Sequence, residues 1–315
     1  MRRAVRIPSA LGRKAVAEGA ACLAWLDDLP FILDELEQEW HLRVGDPMEG
    51  GTTSFVAPVT LANGTHAVLK LAMPAATDGW ETLEHEARAL QAAQGKGCVR
   101  LLAHDRQRHA LLLERLGRQL AQLGLPLPRQ LEIICTTLVQ LWEAPPDPSL
   151  PSGDNKARWL ASFIASTWDL LGHPCPERVI DHALGLAERR ARAFQPERAV
   201  LVHGDAHAWN TLECGGSDSR SQFRLIDPDG LYAEPEYDLA ISMREYNDEL
   251  LAGDPVELGL ERAHLLAETT ATDAERIWEW GYLERVSTGL LLIKIDKDAD
   301  LGRTFLQIAD LWTPS

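Results

Sequence analysis

Two short polar segments carry most of the chemistry in this 315-residue chain, His203-Gly204-Asp205-Ala206-His207-Ala208-Trp209-Asn210 and Ile226-Asp227-Pro228-Asp229-Gly230. Apolar runs lead into both, Ala199-Val200-Leu201-Val202 and Phe223-Arg224-Leu225-Ile226. Read as strands, they place the polar groups at strand ends, where side chains from distant parts of a chain can converge. Phosphoryl transfer needs an acceptor for a hydroxyl proton and oxygen ligands for the cation that neutralises the phosphates. Asp205 can supply the first. Asn210 and Asp227 can supply the second, because magnesium takes a few hard oxygens and keeps some of its waters. Asn210 follows Asp205 at the spacing D-x-x-x-x-N, which belongs to phosphoryl-transfer loops. The alternation His203, Asp205, His207 also fits a metallohydrolase cluster. Against that, no further His-rich segment follows, and His104, His109, His173 and His182 stand in no metal-ligand spacing.

The pattern H-G-D-x-H-x-x-N followed by I-D-P-D-G is similar to the aminoglycoside phosphotransferase family of kinase-like enzymes. The run Gly230-Leu231-Tyr232-Ala233-Glu234-Pro235-Glu236-Tyr237-Asp238-Leu239-Ala240 resembles the branch that holds streptomycin 6-phosphotransferases and hydroxyurea kinases. The resemblance covers nearly the whole chain. It implies an ATP- and Mg2+-dependent kinase with Asp205 as catalytic base, Asn210 and Asp227 as metal ligands, and a small hydroxyl compound as acceptor. Lys70 ends Ala67-Val68-Leu69-Lys70 in the place of the strand lysine that grips the nucleotide phosphates. Val68 lies two residues earlier on the same strand face, placed to touch the adenine ring. The loop Met48-Glu49-Gly50-Gly51-Thr52-Thr53-Ser54-Phe55 is expected to cover the phosphates, with Gly50 and Gly51 allowing close backbone approach and Ser54 donating. It is not G-x-G-x-x-G, so the donors stay open. The resemblance also implies an adenine-binding hinge at Leu113-Glu114-Arg115-Leu116, with Glu114 and Leu116 lining the nucleotide. It further implies a supporting role for Asp238 beneath the catalytic loop. His207, two positions past the base, either assists the γ-phosphate or packs. Trp278 and Trp280 read as core or as a wall of the acceptor pocket.

A lysine gripping phosphates needs an acidic partner on the next helix, and Glu81, Glu84 and Glu86 compete for that place. Helical neighbours stand three and four residues apart. Glu86 shares a face with Leu83, Leu90 and Ala93, whereas Glu84 shares one with Trp80 and Arg88 and can pair with Arg88 at the surface. A carboxylate on an apolar face is costly unless paired, so Glu86 is the expected partner of Lys70.

These residues need a scaffold, and the chain's patterning provides one. The first forty residues read as helical, through Leu23, Leu26, Phe31, Leu33 and Leu36. Phe55-Val56-Ala57-Pro58-Val59 and Ala67-Val68-Leu69-Lys70-Leu71 read as strands joined by Asn63-Gly64, a hairpin signal. A helix is expected from Asp78, with Glu81 completing a capping box and Gly95 as C-cap. Val99-Arg100-Leu101-Leu102 and Ala110-Leu111-Leu112-Leu113 add two strands. Beyond Gly117 the pattern is mostly helical, broken at Pro145, Pro146, Pro148 and Pro151, with a helical tail from about Leu258. The expected fold is α/β (α+β): a two-lobed protein-kinase-like arrangement. A β-rich nucleotide-binding lobe with a helical N-terminal extension occupies residues 1–115, and a helical lobe with the catalytic loop and acceptor site occupies 116–315. The cleft between them is the expected site.

Composition narrows the partners. Hydrophobic residues make up 45% and charged residues 25%, ordinary for a globular protein. The net charge of −16 argues against nucleic acid, which demands a basic surface. It suits a cationic acceptor steered by an acidic surface, although acidity also serves solubility. A guanidinium-bearing acceptor such as streptomycin, phosphorylated on its streptidine ring, would pair with carboxylates near the loop. Asp229, Glu236, Glu245 and Asp248 are the candidates, each also readable as a solvated surface charge. A neutral acceptor such as hydroxyurea would not need them. No run of 18 apolar residues suggests a membrane span. The basic start, Arg2, Arg3, Arg6, Arg13 and Lys14, is interrupted in a way that makes a poor signal peptide. Five scattered cysteines without a CxxC pair fit a reducing cytoplasm. A nucleotide-binding module without turnover is the alternative class, but it would not require Lys70, Asp205, Asn210 and Asp227 together.

Overall fold

Strand alternation in one short segment shows how the N-terminal part is layered. Along Ala110-Leu111-Leu112-Leu113, Ala110 and Leu112 enter one hydrophobic core, and Leu111 and Leu113 enter another. Successive side chains of a strand point to opposite faces, so this segment separates two cores. The computed structural model describes residues 4–49, 53–74, 83–145, 147–215, 223–295 and 298–314. Helices α1 (Ser9–Glu18) and α2 (Ala20–Glu39) precede strands β1 (Leu42–Val44), β2 (Ser54–Leu61) and β3 (His66–Ala72), helix α3 (Leu83–Ala93), and strands β4 (Leu101–Asp105) and β5 (Ala110–Glu114). The five strands form one sheet in the order β1-β2-β3-β5-β4, with antiparallel neighbours.

Trp25, Leu29, Leu33 and Leu36 of α2 pack against Phe55, Ala57, Ala67, Leu69 and Leu71 on one face. Burying one such leucine stabilises the fold by about 1.5–3 kcal/mol. Lys70 and Val68 point from the other face, toward the cleft. Asn63-Gly64 makes the β2–β3 turn as expected, with Gly64 at φ 82° and the Asn63 side chain accepting from the Thr65 amide at 2.9 Å. The register puts Val56 opposite Lys70 and Pro58 opposite Val68. The helix expected from Asp78 is seen from Leu83; its start, with the Glu81 capping box, lies outside the described residues. Its end is as read, with Gly95 in the left-handed region at φ 82°. The strand expected at Val99 begins instead at Leu101. Val99 and its neighbours bond to the far part of the chain, the Val99 amide donating to the Leu225 carbonyl at 2.8 Å.

The C-terminal part contains α4 (Leu127–Trp142), α5 (Gly153–Leu170), α6 (Glu177–Ala193), α7 (Glu236–Arg244), α8 (Asn247–Leu251), α9 (Pro255–Thr270), α10 (Ala274–Lys294) and α11 (Ala299–Trp312). Among them run four three-residue strands, β6 (Val200–Val202), β7 (Thr211–Glu213), β8 (Phe223–Leu225) and β9 (Leu231–Ala233). They form two separate ribbons, β6 with β9 and β7 with β8. The pairing has a direct consequence for chemistry. The octet from His203 to Asn210 joins β6 to β7, and Ile226 to Gly230 joins β8 to β9, so the two polar loops are bound side by side. The Ile226 amide donates to the Asn210 carbonyl at 2.9 Å, and the Asp229 amide to the His203 carbonyl at 2.8 Å. Trp280 is core, its Nε1 donating to Glu234 at 2.7 Å, and Trp278 stacks on Trp312 with centroids 4.4 Å apart. No helix among the described residues is long and apolar enough to cross a membrane.

Candidate active site

The loop from His203 to Asn210 is held from below by one carboxylate. Asp238, fully buried in the first turn of α7, accepts from the Gly204 amide at 2.8 Å, the His203 amide at 3.0 Å and Trp142 Nε1 at 2.8 Å. Burial still pushes its carboxyl up to about 6. This matches the supporting place expected for Asp238. Asp238→Ala would strand three donors, two of them buried, each worth about 1–3 kcal/mol, and is expected to lower the unfolding free energy by about 3 kcal/mol or more. Chemical denaturation checks this; an unchanged midpoint would remove Asp238 from its supporting place. Gly204 has φ 88°, and a Cβ there would come within 2.7 Å of Asp229 Oδ2, so no other residue fits without rearrangement.

His203 is consumed by the backbone: its Nε2 bonds the Ile226 carbonyl at 2.9 Å and its Nδ1 accepts from the Asp205 amide at 3.2 Å. Burial pushes its pKa down to about 4, so it stands neutral at physiological pH. With both ring nitrogens occupied it is no metal ligand, and the metallohydrolase alternative falls. Among the described residues, no group of three or more His, Cys, Asp or Glu side chains is placed to hold a metal ion.

Asp205 lies at the cleft with both oxygens engaged. Asn210 Nδ2 donates to Oδ2 at 3.2 Å and to the Asp205 carbonyl at 3.0 Å. His207 Nε2 lies 3.3 Å from Oδ2, so His207 faces Asp205. Arg244 Nη2 meets Oδ1 at 2.5 Å. Burial works to raise the Asp205 pKa, but Arg244 and then His207 outweigh it and hold the carboxyl well below the usual range.

Across the cleft, Lys70 Nζ lies 2.6 Å from Glu86 Oε2 and 3.0 Å from Asp227 Oδ1. Glu86 is the helix partner selected by the face argument. Glu84 turns elsewhere, and not to Arg88 as expected: it meets His104 Nε2 at 3.4 Å and Arg106 at 3.0 Å. Arg88 reaches Ser149. Burial works against the Lys70 ammonium, but Asp227 and Glu86 outweigh it and hold its pKa above the ordinary value. Burial raises Glu86 to about 7, opposed by Lys70. Asp227 sits in the left-handed region at φ 59°, a conformation that Asp tolerates better than most residues. Its side chain is half exposed. Next to it Gly230, at φ 71°, lies so close to α3 that a Cβ would be 2.5 Å from the His85 carbonyl.

Asn210 and Asp227 together offer hard oxygen donors at the cleft. Asn210 commits its Nδ2 to Asp205, so its amide oxygen is the atom available to a cation. The pair fits magnesium, which prefers such ligands and keeps several waters. Val68 and Lys70 share the cleft face of β3. Ser54 is buried at the start of β2. Gly50 and Gly51 lie outside the described residues. At the hinge, the Glu114 carboxylate holds Arg224 and accepts from the Arg100 amide at 2.8 Å, and Leu116 packs against the C-terminal core. Beside the hinge, a cavity of about 540 Å3 is lined by Arg43, Gly45, Pro58, Thr60, His66 and Arg115.

The four carboxylates expected near the acceptor are not equivalent. Asp229 is half-buried beside Gly204. Glu245 pairs with Arg244 Nε at 3.2 Å. Asp248 is exposed in the first turn of α8. Glu236 is a correction. It is 1% exposed, accepts from the Asp273 amide at 3.3 Å and faces Arg198 at 3.6 Å. Its carboxylate is used inside the lobe between α7 and the start of α10, and cannot meet an acceptor. Sequence reasoning missed Arg244. A basic residue in the last turn of a helix signals a helix end, and nothing local connects it to a loop 39 residues earlier.

Residues 39–292 match the family described as aminoglycoside/hydroxyurea antibiotic resistance kinase. A streptomycin 6-kinase of Streptomyces glaucescens is 30% identical over 283 residues, 88% of this chain and 88% of that one. A hydroxyurea phosphotransferase of Kitasatospora aureofaciens is 32% identical over 225 residues, 70% of this chain and 62% of that one. Among solved structures, a choline kinase from Streptococcus pneumoniae superposes with a TM-score of 0.59 at 15% identity, covering 89% of this chain and 96% of that one. A spectinomycin phosphotransferase superposes with a TM-score of 0.55 at 15% identity, covering 90% and 92%. At such identities the likeness is one of fold, the protein-kinase-like one.

Proposed function

Because the chain belongs to the aminoglycoside/hydroxyurea antibiotic resistance kinase family, and is thus an ATP-using phosphotransferase for a hydroxyl of a small molecule, we propose that its acceptor is streptomycin. The observation that carries this is the match to a streptomycin 6-kinase over 88% of both chains. The net charge of −16 supports it, and in this reading Asp229, Glu245 and Asp248 are the carboxylates that meet the acceptor, since a guanidinium pairs well with carboxylates. Residues 1–115 form the nucleotide lobe and 116–315 the acceptor lobe in this reading, and the protein works in the cytoplasm, where ATP is supplied.

The residues divide the work as follows. Asp205 accepts the proton of the acceptor hydroxyl as its oxygen bonds to the γ-phosphorus. The bond from that phosphorus to the β,γ-bridging oxygen breaks, and its electron pair leaves with ADP. Lys70, oriented by Glu86, holds the nucleotide phosphates. Gly50, Gly51 and Ser54 cover them, and Val68 with the Glu114–Leu116 hinge seats the adenine. Asn210 and Asp227 hold Mg2+, which when bound neutralises phosphate charge. His207 stays at Asp205 Oδ2 and steadies the base. Catalysis is then mostly positioning and electrostatics.

Hydroxyurea is the second reading, favoured by the hydroxyurea phosphotransferase match at 32% identity. A side-by-side assay separates them. ATP-dependent phosphorylation of streptomycin is expected to exceed that of hydroxyurea, and its kcat/KM is expected to fall with added salt as surface charges are screened. Hydroxyurea, being neutral, should show no such salt dependence. Robust transfer to hydroxyurea with none to streptomycin would overturn the acceptor assignment.

A further inference from the structure

We propose that Arg244 is a positioning residue for the catalytic base, fixing the Asp205 carboxylate in the orientation that meets the acceptor hydroxyl. This rests on the phosphotransferase reading above and names a part of the site that its motifs do not contain. Arg244 uses three different nitrogens on three carboxylates. Nη2 meets Asp205 Oδ1 at 2.5 Å, Nε meets Glu245 Oε1 at 3.2 Å, and Nη1 meets Glu284 Oε2 at 3.3 Å. Glu284 is in turn fixed through its other oxygen, which accepts from Tyr237 Oη at 2.8 Å. A planar guanidinium held at three corners transmits direction as well as charge, which a lysine ammonium with a single nitrogen does not.

The backbone that carries Arg244 is fixed with equal care. It ends α7, where the last carbonyls have no partner within the helix. Two buried arginines take them. Arg285 Nη2 donates to the Met243 carbonyl at 2.7 Å and the Arg244 carbonyl at 3.2 Å. Arg262 Nη1 donates to the Ser242 carbonyl at 3.3 Å and the Glu245 carbonyl at 2.9 Å. Arg285 is fully buried, stacked over Trp312 at 4.6 Å and bonded to Asn247 at 2.6 Å. Four carbonyls around the end of α7 are thus held by two buried guanidinium groups, more than a surface turn requires. Gly281 lets α10 approach α7 so closely that a Cβ there would lie 2.5 Å from the Met243 Cβ. That approach brings Glu284, one turn further along α10, up to Arg244. Asp205 Oδ2 is already taken by Asn210 and His207, so Oδ1, the oxygen that Arg244 holds, sets the angle of the carboxylate.

The test compares Arg244→Ala and Arg244→Lys with the parent enzyme. Parent turnover on streptomycin and on hydroxyurea is measured first, so a wrong acceptor shows as an inactive parent and a wrong positioning role as an active variant. Should the parent use neither, ATP hydrolysis to water, in which Asp205 has the same task, is the rate compared. Both variants are expected to lose kcat by about 10²-fold, the effect of a misplaced group of about 1 Å, with the KM for ATP within about twofold of the parent. Methylguanidinium added at millimolar concentration is expected to restore kcat in Arg244→Ala and not in Arg244→Lys, whose side chain fills the space. A purely structural role would give a lowered melting temperature and no rescue. If Arg244→Ala does not fold, Arg244→Lys carries the test through kcat alone. Parent-like kcat in either folded variant, a loss confined to the acceptor KM, or a folded Arg244→Ala that methylguanidinium leaves unchanged would each overturn the proposal.

Discussion

Asp205→Asn is expected to bind ATP as the parent does and to transfer its γ-phosphoryl group about 10²–10⁴-fold more slowly, the usual worth of a general base. The substitution keeps the size of the side chain and removes the proton acceptor. The loop should survive it, because its hydrogen bonds to Asp238 run through the His203 and Gly204 amides and not through the Asp205 side chain. The amide also ends the ion pair with Arg244, which then keeps Glu245 and Glu284 as partners. Single-turnover transfer and ATP titration together check the expectation. A variant with near-parental transfer would remove Asp205 from its role, and one that lost ATP binding would show that the carboxylate serves the nucleotide instead.

Asp227→Ala is expected to abolish the stabilisation that ATP gives in the presence of magnesium while leaving the fold nearly unchanged. A ligand at 100 times its Kd stabilises a protein by about 2.7 kcal/mol, and that is the gain expected to vanish. The fold should tolerate the change because the Asp227 side chain is half exposed and Lys70 keeps Glu86 at 2.6 Å. Alanine at a left-handed φ of 59° adds a strain of about 1 kcal/mol, visible without ligand and separable from the binding effect. Thermal unfolding with ATP, with magnesium and with both is the measurement. An ATP–magnesium shift equal to the parent's would contradict the metal assignment.

What was legible in the sequence was local or chemically constrained. The polar octet and its partner loop stand out because few other arrangements require Asp, Asn and a second Asp at strand ends. The hairpin at Asn63-Gly64 is legible because glycine readily takes the left-handed φ that closes such a turn, 82° at Gly64. Glu86 was distinguishable from Glu84 by helical spacing alone, since Glu86 shares its face with the buried Leu90 and Ala93. The errors arose where contacts span distant segments. Glu236 looked like a surface carboxylate beside the catalytic loop, yet the start of α10, 37 residues on, covers it. Glu84 was assigned its neighbour Arg88 because i,i+4 pairs are visible in a sequence, whereas its partners on β4 and just beyond it are not. Arg244 could not be read at all, because its meaning depends on α7 and α10 packing through Gly281. The strands β1, β7 and β9, three residues each, are too short for alternation to show.

The expected reaction moves the γ-phosphoryl group of ATP onto a hydroxyl of a small molecule in this cleft. Its most direct test uses ATP labelled in the γ-phosphate, magnesium and purified protein, with streptomycin as acceptor and the label followed by chromatography and mass spectrometry. The label is expected to leave ATP and appear on streptomycin as a phosphate ester on its streptidine ring, with ADP formed in equal amount. Label that stays in ATP, with streptomycin and hydroxyurea both unmodified, would contradict it.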